Sequence, residues 1–135
     1  MSAYKNLEIY NLAFNLAMKV YKLNIMIPEN LLLKFGNPLR RISFMIKDLI
    51  AEGHSAKNDE KQLVRSITFA ETQTQEAISL LKKMKAGTVN DKQIEDLLKS
   101  YKQLKNQLGK YAEKIQKEKN EYIIPFPENK NFELV

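Results

Sequence analysis

The sequence contains no cysteine and no tryptophan, a single histidine, and only four glycines and four prolines in 135 residues. Without cysteine, the chain can form neither disulfides nor thiolate metal sites. Scarce Gly and Pro, together with abundant Leu, Lys, Glu, Ala and Gln, favour helices over a sandwich of short strands. Hydrophobic residues make up 44% and charged residues 28%, which is the composition of one globular domain rather than of a disordered chain.

Patterns that indicate catalysis or cofactor binding are also missing. Nucleophilic catalysis requires a base beside the nucleophile, usually His, and His54 lies in a short predicted connection. No Glu has a His three residues later, as a di-metal centre in a helical bundle requires. There is no Gly-rich phosphate-binding loop. We therefore predict that the protein is not an enzyme and has no catalytic residue, metal or cofactor.

Long apolar runs are absent as well. No window approaches the roughly 20 apolar residues of a membrane-spanning helix. Residues 1–20 lack the basic start and the unbroken apolar run of a secretory signal. We therefore expect a soluble, cytoplasmic protein that has no membrane partner.

Four segments instead carry apolar residues at steps of three and four, the spacing that places side chains on one face of a helix. The residues predicted to face inward are Tyr10, Ala13, Phe14, Ala17, Val20 and Tyr21 in the first helix; Leu39, Ile42, Ile46, Leu49 and Ile50 in the second; Leu63, Ile67, Ala70, Thr74, Ala77, Ile78, Leu81 and Met84 in the third; and Ile94, Leu97, Leu98, Tyr101, Leu104, Leu108, Tyr111 and Ile115 in the fourth.

Local signals predict where the middle helices begin and end. Asn37 followed by Pro38 is typical of a helix start, with Asn as the cap and Pro at the first helical position. Gly53 is placed to end this second helix. Asp59 and Gln62, three residues apart, resemble a capping box at the start of the third helix.

Four amphipathic helices joined by short links predict an all-α fold, an antiparallel up-down-up-down four-helix bundle. We assign residues 1–119 to this bundle. Residues 120–135 include two prolines, which favour an extended or disordered C-terminal tail. Phe44 and Met45 add apolar surface outside the inward stripe of the second helix, and a helix that is apolar on more than one side needs a second partner. These two residues are therefore the predicted oligomer interface.

Basic residues outnumber acidic ones by 22 to 16, a net charge of +6. This excess favours attraction to polyanions, although lysine-rich helices also serve simply to keep a protein soluble. Adjacent Arg40 and Arg41 point about 100° apart, so one can pair with a carboxylate of the bundle while the other faces solvent. The stretch from Lys99 to Lys110 has no acidic residue. The candidate nucleic-acid-binding residues are Arg40, Arg41, Arg65, Lys99, Lys102, Lys105 and Lys110.

The second and third helices resemble a known family through Arg40-Arg41, the segment Ile50–Gly53, Arg65, and Ala70 followed by Glu76. This family is the group of four-helix-bundle proteins named after the intervening sequences of bacterial 23S ribosomal RNA. It is similar to the accessory variability protein of diversity-generating retroelements. The resemblance covers roughly residues 4–115. Pro38 and Leu49 stand where the family usually has Gln and Asn, so the chain resembles a divergent branch.

The resemblance implies a ring-like homopentamer that associates with nucleic acid, in the retroelement branch together with a reverse transcriptase. Combined with the basic composition, it favours a non-enzymatic oligomeric accessory protein that binds RNA, DNA or both. The alternative is a protein–protein assembly module whose basic surface serves only solvation. Binding that weakens steeply with salt would favour the first hypothesis.

Overall fold

A computed structural model describes residues 7–87 and 92–123, and no strand occurs among these residues. The helices are α1 (Glu8–Met26), α2 (Glu29–Leu31), α3 (Asn37–Ser55), α4 (Glu60–Ala86) and α5 (Lys92–Ile123), and a π-helical turn (Leu32–Gly36) joins α2 to α3. The all-α prediction is therefore confirmed.

The four long helices run alternately up and down, and each packs against two neighbours. Helices α1 and α3, α3 and α4, and α4 and α5 pack side by side, and α5 closes the bundle against α1 in the sparsest contact of the four. Consequently α3 and α5 occupy diagonally opposite corners, as do α1 and α4. This arrangement is the predicted up-down-up-down bundle.

The buried faces of α4 and α5 agree with their sequence patterns. All eight residues predicted to face inward on α4 are buried, and on α5 only Tyr111 is half-buried rather than buried. Each fully buried Leu or Ile contributes about 1.5–3 kcal/mol through removal of apolar surface from water. Burial also raises the pKa of the Tyr101 phenol far above its usual value, so this side chain remains neutral in the core.

The buried face of α1 differs from the prediction. Phe14 and Tyr21 are 41% and 52% exposed, and Tyr10 is half-buried. Because apolar residues surround more than half of this helix, their periodicity alone cannot identify the side that faces the core. The residues that α1 buries are Ile9, Ala13, Leu16, Ala17, Val20, Leu23 and Asn24.

The predicted cap at Asn37 is wrong: α3 begins at Asn37 with Pro38 in its first turn, but the chain is already helical from Glu29. Gly36 has helical backbone angles, φ −65° and ψ −45°, and no side chain caps α3. The π-helical turn takes up one extra residue per turn. It is tied to α1 by Asn24, whose Nδ2 donates a buried hydrogen bond of 2.7 Å to the Gly36 carbonyl.

Gly53 does not end its helix either, since α3 continues to Ser55. A Cβ atom at Gly53 would lie 3.0 Å from the Cβ of Ser66, so glycine here allows α3 and α4 to approach closely. His54 lies in the last turn of α3 rather than in a connection, and it is half-buried. Burial lowers the pKa of His54, and the nearby charge of Lys57 lowers it further.

The start of α4 is as predicted. The Asp59 carboxylate accepts a hydrogen bond of 3.2 Å from the backbone N–H of Gln62, which satisfies one of the free N–H groups at the helix start. At the other end of the chain, α5 continues to Ile123, four residues beyond the boundary predicted at 119. Residues 124–135 of the predicted tail lie outside the described residues. None of the described helices combines the length and the apolar character needed to cross a membrane.

Candidate nucleic-acid interface

The four candidate lysines of α5 do not all point in one direction. Lys99 and Lys110 are separated by three helical turns and point within about 20° of each other, away from the core. Lys102 and Lys105 are turned by about 60° and 120° from Lys99. Lys105 is half-buried, whereas the other three are exposed. Of the four candidate lysines, only Lys99 and Lys110 therefore lie on the side of α5 that points directly away from the core.

Two further lysines continue this line and were missed in the sequence reading. Lys92 lies seven residues before Lys99 and Lys117 lies seven residues after Lys110, and both are exposed. Residues seven positions apart on an α-helix point in nearly the same direction, so this spacing could have identified both lysines from the sequence. From Lys92 to Lys117 the helix rises about 37 Å, close to one turn of duplex DNA at about 34–36 Å. We call Lys92, Lys99, Lys110 and Lys117 the α5 lysine line.

Two exposed carboxylates lie beside this line at the start of α5, Glu95 and Asp96. Glu95 forms an ion pair of 3.0 Å with Lys85 of α4, and both side chains are about half exposed. The hydrogen bond and the charge of Lys85 lower the pKa of Glu95, and Lys99 and Lys92 lower it further. Glu95 lies three residues after Lys92 and four residues before Lys99, so the two lysines flank it on one surface. Here Lys85, Lys92 and Lys99 outnumber the two carboxylates.

The flank of α5 that carries Lys102 and Lys105 turns toward α4. A Cβ atom at Gly109 would lie 3.3 Å from Glu71 Oε2, which marks this flank as the α4 side. Acidic and basic groups are therefore mixed here, whereas the outer surface between Lys99 and Lys110 has no acidic residue.

The three candidate arginines lie elsewhere on the bundle. Arg40 and Arg41 are on α3 and Arg65 is on α4, and all three are exposed. Because α3 is diagonal to α5, the fold separates Arg40 and Arg41 from the α5 lysine line. None of the three arginines forms an ion pair with a described carboxylate, so the predicted pairing within the bundle is not found.

Phe44 and Met45, predicted to form one interface, lie on different flanks of α3. The side chains of consecutive helical residues point about 100° apart. Phe44 is half-buried, with Lys47 Nζ 5.3 Å from its ring centroid, and Met45 is 39% exposed. Together with Arg40, Arg41 and Glu52, they line a shallow depression along the outer surface of α3.

A deeper groove, of about 350 Å³, runs between α1 and α5. Leu23, Met26 and Leu97 provide its apolar lining, and Lys19 and Lys22 contribute from α1. Among residues 7–87 and 92–123, no three His, Asp or Glu side chains are grouped so that they could hold a metal ion.

These features define an antiparallel four-helix-bundle protein with one lysine-rich corner. A sequence model of the 23S rRNA-intervening sequence protein family matches residues 5–110, most of the chain, and the chain belongs to this family. No curated protein and no solved structure shows significant similarity to it. The family resemblance predicted from the second and third helices is thus confirmed, whereas the relation to retroelement accessory proteins remains a prediction.

Proposed function

We propose that this chain is a non-enzymatic, oligomeric accessory protein that binds nucleic acid through the outer surface of α5. The observation that supports this proposal best is the α5 lysine line. Its four exposed side chains follow one direction of a helix over about 37 Å. A straight row of cations on this scale suits the repeating charges of a nucleic-acid backbone.

Lysine also suggests how the nucleic acid is bound. Its ammonium group is a mobile point charge on a flexible stem, whereas arginine offers a rigid fork for defined acceptor pairs. Contacts made by such groups go to phosphates and carry no direct sequence information. The proposed binding is therefore independent of sequence and open to both RNA and DNA. A reverse transcriptase partner, which the resemblance to retroelement accessory proteins implies, is the narrower form of this proposal.

The salt dependence of binding follows from the number of lysines. If the α5 lysine line neutralises four phosphates of a duplex, log K falls with log salt at a slope of about −3.6. A rise from 50 to 200 mM salt then weakens binding by about 150-fold. A protein–protein assembly module, the alternative function, would show no such nucleic-acid affinity at either salt concentration.

The test is fluorescence anisotropy with labelled RNA and DNA duplexes of about three helical turns over this salt range. The double variant Lys99→Gln/Lys110→Gln should reduce the slope by about 2, because each lysine accounts for about one phosphate. The control Lys57→Gln/Lys61→Gln changes net charge equally but lies at the connection between α3 and α4 and in the first turn of α4, so its slope should equal that of the wild type. Equal losses in both variants, or no binding at 50 mM salt, would contradict the proposal.

A further inference from the structure

The groove between α1 and α5, which we call the α1–α5 groove, has no part in the proposed binding of nucleic acid. It lies where two neighbouring helices form the sparsest contact of the bundle. Leu23 and Leu97 form its floor and are almost fully buried, whereas Met26 at its edge is 67% exposed. A preformed concave surface with an apolar floor and a few polar groups is typical of a small-molecule site.

The volume of the groove limits what it can hold. It is about 350 Å³, near the lower end of the range of roughly 300–1,000 Å³ for small-molecule sites. Two turns of a helix about 10 Å across occupy roughly 850 Å³, so a helix of a partner protein cannot enter the groove. An unbranched hydrocarbon chain is far narrower than a helix and suits this volume.

The length of the groove sets the length of such a chain. Lys19 and Met26 line the groove from α1, and seven residues correspond to about 10.5 Å along the helix axis. Gln93 and Ser100, also seven residues apart, line it from α5. With C–C bonds of about 1.52 Å and bond angles of about 111°, an extended chain advances about 1.25 Å per carbon. A chain of about eight carbons therefore spans the groove.

The rim of the groove is mainly cationic. Lys19 and Lys22 line it from α1, and both are exposed. The methylenes of a lysine can cover a hydrocarbon chain while its ammonium group stays in water. Asp96 is the acidic residue of the lining, and it lies four residues after Lys92 and three before Lys99, both of which are its neighbours on the helix surface. Because four ammonium groups accompany one carboxylate, the groove favours an anionic ligand.

The two ends of the groove differ in chemistry. Because α1 and α5 run antiparallel, Lys19 and the half-buried Ser100 line one end, whereas Met26 lines the other. An ammonium group and a hydroxyl both donate hydrogen bonds to a carboxylate. The unbranched, flexible side chain of methionine adapts to apolar partners of irregular shape. The first end therefore suits the charged group of an amphipathic anion, and the second suits the end of its hydrocarbon chain.

We propose that the α1–α5 groove binds a free carboxylate with an unbranched hydrocarbon chain of about eight carbons. The carboxylate lies between Lys19 and Ser100. The chain runs over Leu23 and Leu97 toward Met26, which packs on its end and becomes buried. This site goes beyond the proposed function, and its tests contain no nucleic acid, so either proposal can fail without the other.

Titration calorimetry with carboxylates of increasing length tests the size of the site. Each methylene that enters the groove should tighten binding about fourfold, so octanoate should bind about 200-fold more tightly than butanoate. Beyond the length of the groove this gain should stop, and dodecanoate should bind within about fourfold of octanoate. A constant gain per carbon up to dodecanoate would show that the chain adsorbs to open apolar surface, and no heat with octanoate at about 10 mM would equally overturn the proposal.

Substitutions at the two ends test its placement. Lys19→Gln/Lys22→Gln should weaken octanoate binding by about 2- to 30-fold, the worth of two exposed ion pairs, and should leave the binding of the uncharged octanol unchanged. Lys57→Gln/Lys61→Gln removes the same charge outside the groove and should bind octanoate like the wild type. An equal loss in both double variants would mean that octanoate senses only the net charge of the protein, which contradicts a carboxylate site at Lys19.

Met26→Glu should weaken octanoate binding by at least about tenfold, because a carboxylate replaces the apolar wall and repels the ligand. Met45→Glu is the matched control, since Met45 is also exposed but lies on α3, and it should keep the wild-type affinity. Circular dichroism should show the wild-type helical signal for every variant, and Met26→Gln replaces Met26→Glu if the latter unfolds. Equal affinities of the Met26 and Met45 variants would show that the chain does not lie in the α1–α5 groove.

Discussion

Helices α1 and α5 are neighbours in the bundle, but their outer surfaces differ in kind. The outer surface of α5 carries lysines, whose charged ammonium groups are favourably hydrated. The outer surface of α1 carries Phe14, Tyr21 and Ile25, whose burial against another protein is favourable. Both helices contribute to the same core, so the core does not require this difference. The comparison teaches that helices sharing one core can present outer surfaces of different chemistry, one hydrated and one apolar.

The largest expected effect tests whether α1 has one buried and one exposed apolar side, as the structure indicates. Leu16 is buried and Phe14 is exposed, although the two residues are only two positions apart in α1. Leu16→Ala should lower the free energy of unfolding by about 2–5 kcal/mol, because it removes buried methyl groups and leaves a cavity. Phe14→Ala should lower it by less than about 1 kcal/mol per chain. Urea denaturation at a low protein concentration, where assembly does not contribute, measures both values.

The reverse order of these two losses would show that Phe14 faces the core, as its spacing in the sequence predicts. In that case the apolar character of α1 would belong to the bundle alone. The contrast with α5 would then disappear, because the outer surface of α1 would lose Phe14.

The same contrast explains how much of the fold could be predicted. The stripes of α4 and α5 are predicted correctly because polar and charged residues occupy most of the rest of each helix. The stripe of α1 is not, because Phe14 and Tyr21 have the same hydrophobic character as the buried Leu16. The signals at Asn37 and Gly53 predict a cap and a helix end incorrectly, because the π-helical turn and the close helix contact found there depend on tertiary structure. Asn and Gly suit these positions as well as they suit helix ends, so the residue types alone do not distinguish the two cases.

The candidate site could be predicted in part for a related reason. The sequence shows that lysines accumulate between Lys99 and Lys110 without acidic neighbours, and a spacing of seven adds Lys92 and Lys117. It cannot show that Arg40 lies diagonally across the bundle from these lysines. That separation depends on the order in which the helices pack, which no local pattern encodes.

A smaller effect compares how closely α3 and α5 pack against α4. Gly53→Ala should cost about 1–3 kcal/mol, because the new methyl group would lie 3.0 Å from the Ser66 Cβ and both helices would have to shift. Gly109→Ala in α5 should stabilise the protein by up to about 1 kcal/mol. The nearest atom there is the end of the flexible Glu71 side chain, at 3.3 Å. Thermal unfolding of the two variants under identical conditions gives the sign of each change, and a loss of stability in Gly109→Ala would mean that α5 packs as closely as α3.

The smallest effect concerns the charged surface of α5 itself. Lys85 lowers the pKa of Glu95 below its usual value of 4.5, so the ion pair stabilises the folded protein above about pH 4.5. This contribution is lost as the pH falls through the lowered pKa, because the carboxylate then takes up a proton. Since both side chains are well exposed, water screens the interaction. Glu95→Gln should leave the melting temperature at pH 7 nearly unchanged.

Melting curves at pH 7, 4.5 and 3 separate this ion pair from the general effect of acid. The wild type should lose slightly more stability than Glu95→Gln over this range. The control Glu113→Gln makes the same change of charge on α5, at a residue that forms no ion pair within the described part of the chain, and it should follow the wild type. A large loss at pH 7 in Glu95→Gln would show that the outer surface of α5 stabilises the bundle. The charges of α5 would then have a role in folding, and α5 would no longer differ from α1 in carrying a surface that the bundle does not need for stability.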